Sequence, residues 1–297
     1  MSRIYLYIIF ILFVSSFLSG CIRTLDEKDM PKIEPKLVIG GYISPQDTVV
    51  KIFVGKSVPI YKKSDQMYNL NPPVKDASVL LSGNGVSASL LFDEKSSSYT
   101  VPASQFPIVP GATYHLTVST PAGLYAEAET TVPEEINSSL TFKIDTVEGT
   151  SNYGYSGKSI RISVWWDDIQ NQSNYYRIFG EIGVLYDSTY YNYPMYNYQY
   201  SLNFDTKSIV IKDIGFANGK LGPFKADTPL ESMKKRFSNI GLSLLNIDRN
   251  YYEFYKSYDS NYQDDPFSEP QNIYTNIKGG LGVFGSYQKY SIKSELK

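Results

Sequence analysis

The sequence predicts a mainly β protein: an N-terminal immunoglobulin-like or transthyretin-like β-sandwich, then a second antiparallel β domain with one short helix near the C-terminus. Three observations predict it. The chain of 297 residues holds 27 Tyr, 15 Phe and 2 Trp, while helix-favouring Ala, Leu and Glu are not enriched, a composition suited to filling pleated, half-buried surfaces. Short alternating or apolar runs recur with turn residues between them. A single stretch, just after Asp248, switches to helical spacing.

The first element is not part of the folded body. Met1, Ser2 and Arg3 make a short positive start, Ile4 to Leu18 runs almost without polar interruption, and small residues Ser19 and Gly20 precede Cys21. That is the three-part layout of a secretory signal peptide, over residues 1–20. An apolar stretch of this length falls short of the ~20 residues a helix needs to cross ~30 Å of hydrocarbon, so removal is the better reading than a permanent span. Leu18-Ser19-Gly20-Cys21 resembles the bacterial lipobox. It implies cleavage between Gly20 and Cys21 and lipid on the Cys21 sulfur, palmitate being a typical acyl group. At ~0.8 kcal/mol per buried methylene, two or three acyl chains hold a protein at a membrane. Residues 21–35, CIRTLDEKDMPKIEP, are polar and proline-bounded and read as a flexible tether. Asp26-Glu27-Lys28-Asp29 within it doubles as a candidate surface-export address.

From Lys36 the strands begin. Residues 37–43, 49–54, 77–83, 87–92, 98–101, 113–120 and 125–132 read as seven strands at sandwich spacing. Pro110-Gly111 and Pro121-Ala122-Gly123 mark turns, the second closing a hairpin. Pro133-Glu134-Glu135 ends this unit, so the first domain covers 36–133 and the second 134–297. The second series is 140–145, 159–168, 175–186, 208–216 and 240–247. Tyr251, Tyr252, Phe254, Tyr255, Tyr258 and Tyr262 then fall at helical offsets, with Asp248 as N-cap.

Charge and cysteine content exclude several classes of function. Without residues 1–20 the chain loses only Arg3, leaving 27 Lys plus Arg against 30 Asp plus Glu, a net of −3. No basic footprint for nucleic acid exists. With Cys21 lipidated no cysteine remains, so the fold has no disulfides. One histidine, His115, leaves no Cys–His pair or zinc set of the usual ligand types. A Ser-His-Asp site would have to use His115, and no GxSxG elbow occurs.

EPKLVIGGYI (34–43), PGATYHLTVSTPAGLYAEAETTVPE (110–134), NYYRI (174–178) and DPFSEPQNIYTNIKGGLGVFGSY (265–287), in that order, resemble the domain-of-unknown-function family 4249 of Bacteroidota outer-membrane lipoproteins. The resemblance spans nearly the whole chain after the lipobox. It implies residence in the outer membrane and the company of TonB-dependent receptors, which import nutrients; it carries no catalytic residues.

Several motifs invite chemistry. Gly280-Leu-Gly282-Val-Phe-Gly285 fits GxGxxG, but the twelve residues after it read as a strand with no room for the helix and acidic partner of a dinucleotide fold; the glycines read as turns or a close strand crossing. Asp167-Asp168, and Asp264, Asp265 and Glu269, are the best carboxylate groups for a glycosidase-like or calcium site; neither has a recognisable spacing. Trp165 and Trp166 must face opposite sides of their strand. Asp47-Thr48-Val49, Asp145-Thr146-Val147 and Asp187-Ser188-Thr189 resemble O-glycosylation acceptors.

The residues assigned to ligand binding are Tyr190, Tyr191, Tyr193, Tyr196, Tyr198 and Tyr200. They belong to a stretch, Tyr186 to Tyr200, with seven tyrosines in fifteen residues. Tyrosine gives large contact area for little rotamer entropy, and the plainer alternative is a long hairpin whose rings pack on neighbouring strands. The sequence expectation is thus a non-enzymatic, lipid-anchored outer-membrane protein, an accessory binding or assembly factor for TonB-dependent uptake. It needs no cofactor or metal, has no catalytic residues, and takes a glycan or peptide ligand. The alternatives are a carboxylate-dependent glycan hydrolase and a structural envelope lipoprotein. Which face of the outer membrane it occupies stays open.

Overall fold

A computed structural model describes Tyr5 and residues 31–59, 71–150, 156–186, 197–214, 219–229, 235–261 and 272–296. Residues 36–57 and 71–297 form one compact unit, which is mainly β with one helix near the C-terminus.

The N-terminal sandwich is built from β1 (Leu37–Ile43), β2 (Val49–Lys56), β3 (Ser78–Gly83), β4 (Val86–Asp93), β5 (Ser98–Pro102), β6 (Thr113–Ser119) and β7 (Tyr125–Thr131). Their side chains alternate in burial as a half-buried strand requires, most cleanly in β1, where Leu37, Ile39, Gly41 and Ile43 are buried and Val38, Gly40 and Tyr42 between them are less so. Neighbours run β1-β2-β5-β4-β3-β6-β7. β4 changes partner along its length, pairing with β3 through Val86–Leu90 and with β5 through Leu91–Asp93, so it carries the sheet from one layer into the other. Between the layers lies one core in which Ile39, Ile52, Val54 and Tyr99 meet Leu81, Tyr114, Leu116 and Val118. Two of its tyrosines keep their hydroxyls paired: Tyr99 donates to the Val74 carbonyl at 2.9 Å, and Tyr114 accepts from the Val109 N–H at 2.7 Å, as buried phenols must.

The second half adds β8 (Thr141–Thr150), β9 (Ser156–Asp167), β10 (Tyr175–Tyr186), β11 (Asn197–Ser201), β12 (Ile211–Lys212), β13 (Lys220–Pro229), β14 (Lys235–Ile247) and β15 (Gly280–Glu295). A three-stranded sheet, β13-β9-β8, faces β11-β10-β14-β15. Trp166, Tyr176, Ile182, Leu242 and Leu244 fill the space between them. Within 208–214, the described part of the stretch 208–216 expected as a strand, ladder pairing is confined to Ile211 and Lys212. Its run is cut short because the Asp213 carboxylate turns back to accept the Asn174 N–H.

β14 alternates between two cores. Ile240, Leu242 and Leu244 face the three-stranded sheet, while Leu245 and Ile247 face the helix, α1 (Arg249–Asn261), through a cluster with Tyr251 and Tyr252. Helix and sheet are locked by an aromatic clasp: the Arg177 guanidinium lies 4.4 Å from the Phe179 ring centre and 4.6 Å from that of Tyr255, and donates to the Tyr251 hydroxyl at 2.7 Å.

β15 ties the two halves together. Its first seven residues run parallel to β1, Leu37 against Gly280 through Ile43 against Ser286, and Tyr287 to Glu295 run antiparallel to β14. The GxGxxG glycines therefore lie inside a strand at a close strand approach, not in turns. Gly282 has φ +101°, and a Cβ there would stand 2.0 Å from the Ile39 carbonyl oxygen.

Candidate functional site

β10 and β11 pair antiparallel, with Ile182 opposite Tyr200 and Val184 opposite Tyr198. Directly opposed residues share a face, so the two tyrosines lie on the face that carries the second core. Ile182 is buried within that core and Val184 is buried beyond it, whereas Tyr198 and Tyr200 are 50% and 44% exposed. Their ring centres lie 6.5 Å apart. Each ring thus extends the core's inner face past its last buried rung, giving flat apolar area with a phenol at its margin. Tyr190, Tyr191, Tyr193 and Tyr196 lie outside the described residues. So do Gly20, Cys21, Asp187, Asp264, Asp265 and Glu269.

Of the candidate carboxylates Asp167 and Asp168, only the second is held as a structural acceptor. Asp167 ends β9 exposed, while Asp168 turns inward: its Oδ1 accepts from the Tyr176 hydroxyl at 3.0 Å and from Asn174 Nδ2 at 3.2 Å. Burial pushes the Asp168 carboxyl above the usual range, and both hydrogen bonds fall on Oδ1. The two aspartates do not act as a pair. Asp47 is committed likewise, accepting from the Tyr287 hydroxyl at 2.8 Å, with its pKa raised by burial. Among the described residues no three His, Cys, Asp or Glu side chains gather as a metal site.

Strand register places Ser82, His115 and Glu129 in one row across β3, β6 and β7, the residue types of a nucleophile, base and acid. His115 Nδ1 lies 3.5 Å from Glu129 Oε2, both side chains being more than half exposed. This row sits on an open sheet face where ladder bonds use the backbone N–H groups of the central strand, and stabilising an oxyanion needs such donors free and preorganised. The geometry makes it an exposed His–Glu surface contact, of the kind worth little.

Trp166 is fully buried, stacked 5.2 Å from Phe224. Trp165, one residue earlier, is on the outer face of the three-stranded sheet, as strand alternation requires. Sequence reasoning did not find the lysines that join Trp165 there, because they come from β8 and β13 and only register brings them together. Nor did it find Arg177, whose sole sequence signal is a cation at an odd position of β10, beside Tyr175 and Phe179.

No helix among the described residues is long and apolar enough to cross a membrane. A family model described as "Domain of unknown function (DUF4249)" matches residues 25–293. No curated protein matches the chain.

Proposed function

The chain belongs to the DUF4249 family, and from that premise we propose that it is a lipid-anchored outer-membrane protein serving TonB-dependent uptake as a non-enzymatic binding or assembly factor. The order of parts supports this reading: a removable apolar leader, Leu18-Ser19-Gly20-Cys21, and a charged tether ahead of the folded body. The single observation that carries the binding role is the edge strand β11, where Tyr198 and Tyr200 stand half exposed beside the tyrosine-rich 186–196 segment. Tyrosine of this kind binds by contact area and a few directed hydrogen bonds, and asks for no nucleophile or metal. The Asp168 carboxyl, one of those a hydrolase reading would recruit, accepts internal hydrogen bonds from Tyr176 and Asn174.

Affinity purification of the native protein from detergent-solubilised outer membranes tests the proposal. A TonB-dependent receptor is expected in the eluate, and its recovery is expected to fall several-fold when Tyr198 and Tyr200 are both changed to Ala. Recovery of the lipoprotein alone, with neither transporter nor retained ligand, contradicts it.

A further inference from the structure

We infer that β11 pairs edge to edge with β11 of a second copy of this chain, so that two copies complete the tyrosine surface. The pairing rests on strand geometry; that the completed surface holds a receptor rests on the binding role proposed above. Continuing the β10–β11 register, Leu202 stands opposite Gly180, and its N–H donates to the Gly180 carbonyl at 2.7 Å. Backbone direction alternates along an antiparallel strand. Tyr198, Tyr200 and Leu202 therefore bond inward to β10, and the N–H and C=O groups of Asn197, Gln199 and Ser201 point away from it. Among the described residues nothing bonds to the backbone of Gln199 or Ser201 on that side, and both residues are exposed.

The strands β11, β7, β13 and β8 end the two sheets, and the last three are guarded. β7 is bridged by Lys278, whose N–H and carbonyl exchange bonds with Glu127. β13 carries Pro223 and Pro229, and Asp205 occupies both backbone groups of Lys225. β8 carries Lys143, Asp145 and Glu148. Charges, prolines and covering segments are the ordinary means of keeping sheet edges from pairing. β11, NYQYS, has neither charge nor proline. An open row of backbone groups takes an extended chain, and the sequence of β11 fits its own copy. With the copies antiparallel about Gln199, each Gln199 meets the other in a bonded pair, and Tyr198 of each copy meets Tyr200 of the other. No like charges are opposed, and the ring pairs are of the cross-strand kind that stabilises sheets. The two-fold axis stands perpendicular to the sheet, so all four rings lie on one side and join the patches that each copy leaves at 50% and 44% exposure. Such an interface closes at two copies. A ladder of five residues falls short of the ~1,200–2,000 Å² of a stable dimer in solution. It suits copies confined to one membrane, where the effective concentration is high.

Co-recovery of two differently tagged full-length copies provides the test, from membranes cut into polymer-bounded nanodiscs that keep neighbours in their bilayer. The unaltered copies are expected to co-purify. Gln199→Pro should lower co-recovery at least about fivefold, since it removes the central donor from both strands. Its melting temperature should hold, because that N–H makes no bond to β10. Gln199→Lys in both copies should lower co-recovery about threefold through like charges placed opposite each other. Gln199→Lys in one copy with Gln199→Glu in the other should restore it. Failure of the unaltered copies to co-purify overturns the inference. So does full co-recovery of a folded Gln199→Pro, or equal recovery of the Lys–Lys and Lys–Glu combinations. The same eluates separate the two proposals: receptor recovered without a second copy overturns the pairing alone, and paired copies without receptor or ligand overturn the binding role alone.

Discussion

Asp248 holds three elements with one carboxylate. Its Oδ1 accepts the Tyr251 N–H at 3.0 Å, which caps α1, and the Ser286 N–H at 3.1 Å, which fixes β15; its Oδ2 accepts the Thr130 hydroxyl of β7 at 2.8 Å. Burial pushes its pKa above the usual carboxylate range, against the pull of those same hydrogen bonds. Removing the side chain loses a cap worth about 0.5–2 kcal/mol and strands a buried N–H worth about 1–3 kcal/mol, so Asp248→Ala is predicted to lower stability by about 2–4 kcal/mol in denaturant titration. Asparagine keeps the Oδ1 acceptor, and its amide can donate to Thr130, whose hydroxyl then donates to Ser286 Oγ, already at 3.0 Å. Asp248→Asn should therefore cost under about 1 kcal/mol. The pH dependence has a definite sign. A carboxyl whose folded pKa is raised binds its proton more readily folded than unfolded, so its contribution to stability falls as pH rises from the ordinary carboxylate value through the folded one. Midpoints measured from pH 4 to pH 7 should shift in favour of Asp248→Asn relative to the unaltered protein.

Among the elements, β15 has the most demanding position, parallel to β1 for seven residues and antiparallel to β14 for nine. Gly282 makes the first pairing possible. Alanine there would have to accept φ +101° and a Cβ 2.0 Å from the Ile39 carbonyl oxygen. Gly282→Ala is predicted to destabilise by more than about 3 kcal/mol, with amide exchange accelerated first along Leu37–Ile43. A merely local effect, with β1 protection intact, would show that the two strands are less interdependent than their register implies. How far the sequence revealed its elements follows the same logic. LVIGGYI and YYRIFGEIGVLY were legible to the residue because alternation and flanking turn residues agree. β13 was not, since Gly222-Pro223 punctuates KLGPFKADTP as a turn, whereas in the fold it is an irregularity inside a strand. β11 was hidden because NYQYS sits in an unbroken tyrosine-rich run with no change of period to mark where pairing begins. The parallel β1–β15 pairing joins residues more than 240 positions apart, and nothing local encodes it. The half-exposed tyrosines of β11 were named from composition alone; the Trp165 surroundings needed three strands in register.

The unit of residues 36–57 and 71–297 is, among its described residues, a set of β layers with one helix, in which β15 pairs with β1. On its larger sheet the edge strand β11 leaves Tyr198 and Tyr200 half exposed, the surface to which the proposed binding role is assigned. What gives that surface a place to act is the proposed anchor. If Cys21 carries lipid, its tether holds that surface near the membrane and the only thiol in the chain is consumed; if it does not, proximity to an outer-membrane receptor has no physical basis. Mass spectrometry of the N-terminal peptide of the protein purified from its native membranes tests this most directly. The account predicts a chain that begins at Cys21, with a diacylglyceryl thioether and an acylated amine, and a Cys21→Ser form that leaves the membrane fraction. A chain still beginning at Met1, or a Cys21 with a free thiol, would contradict it.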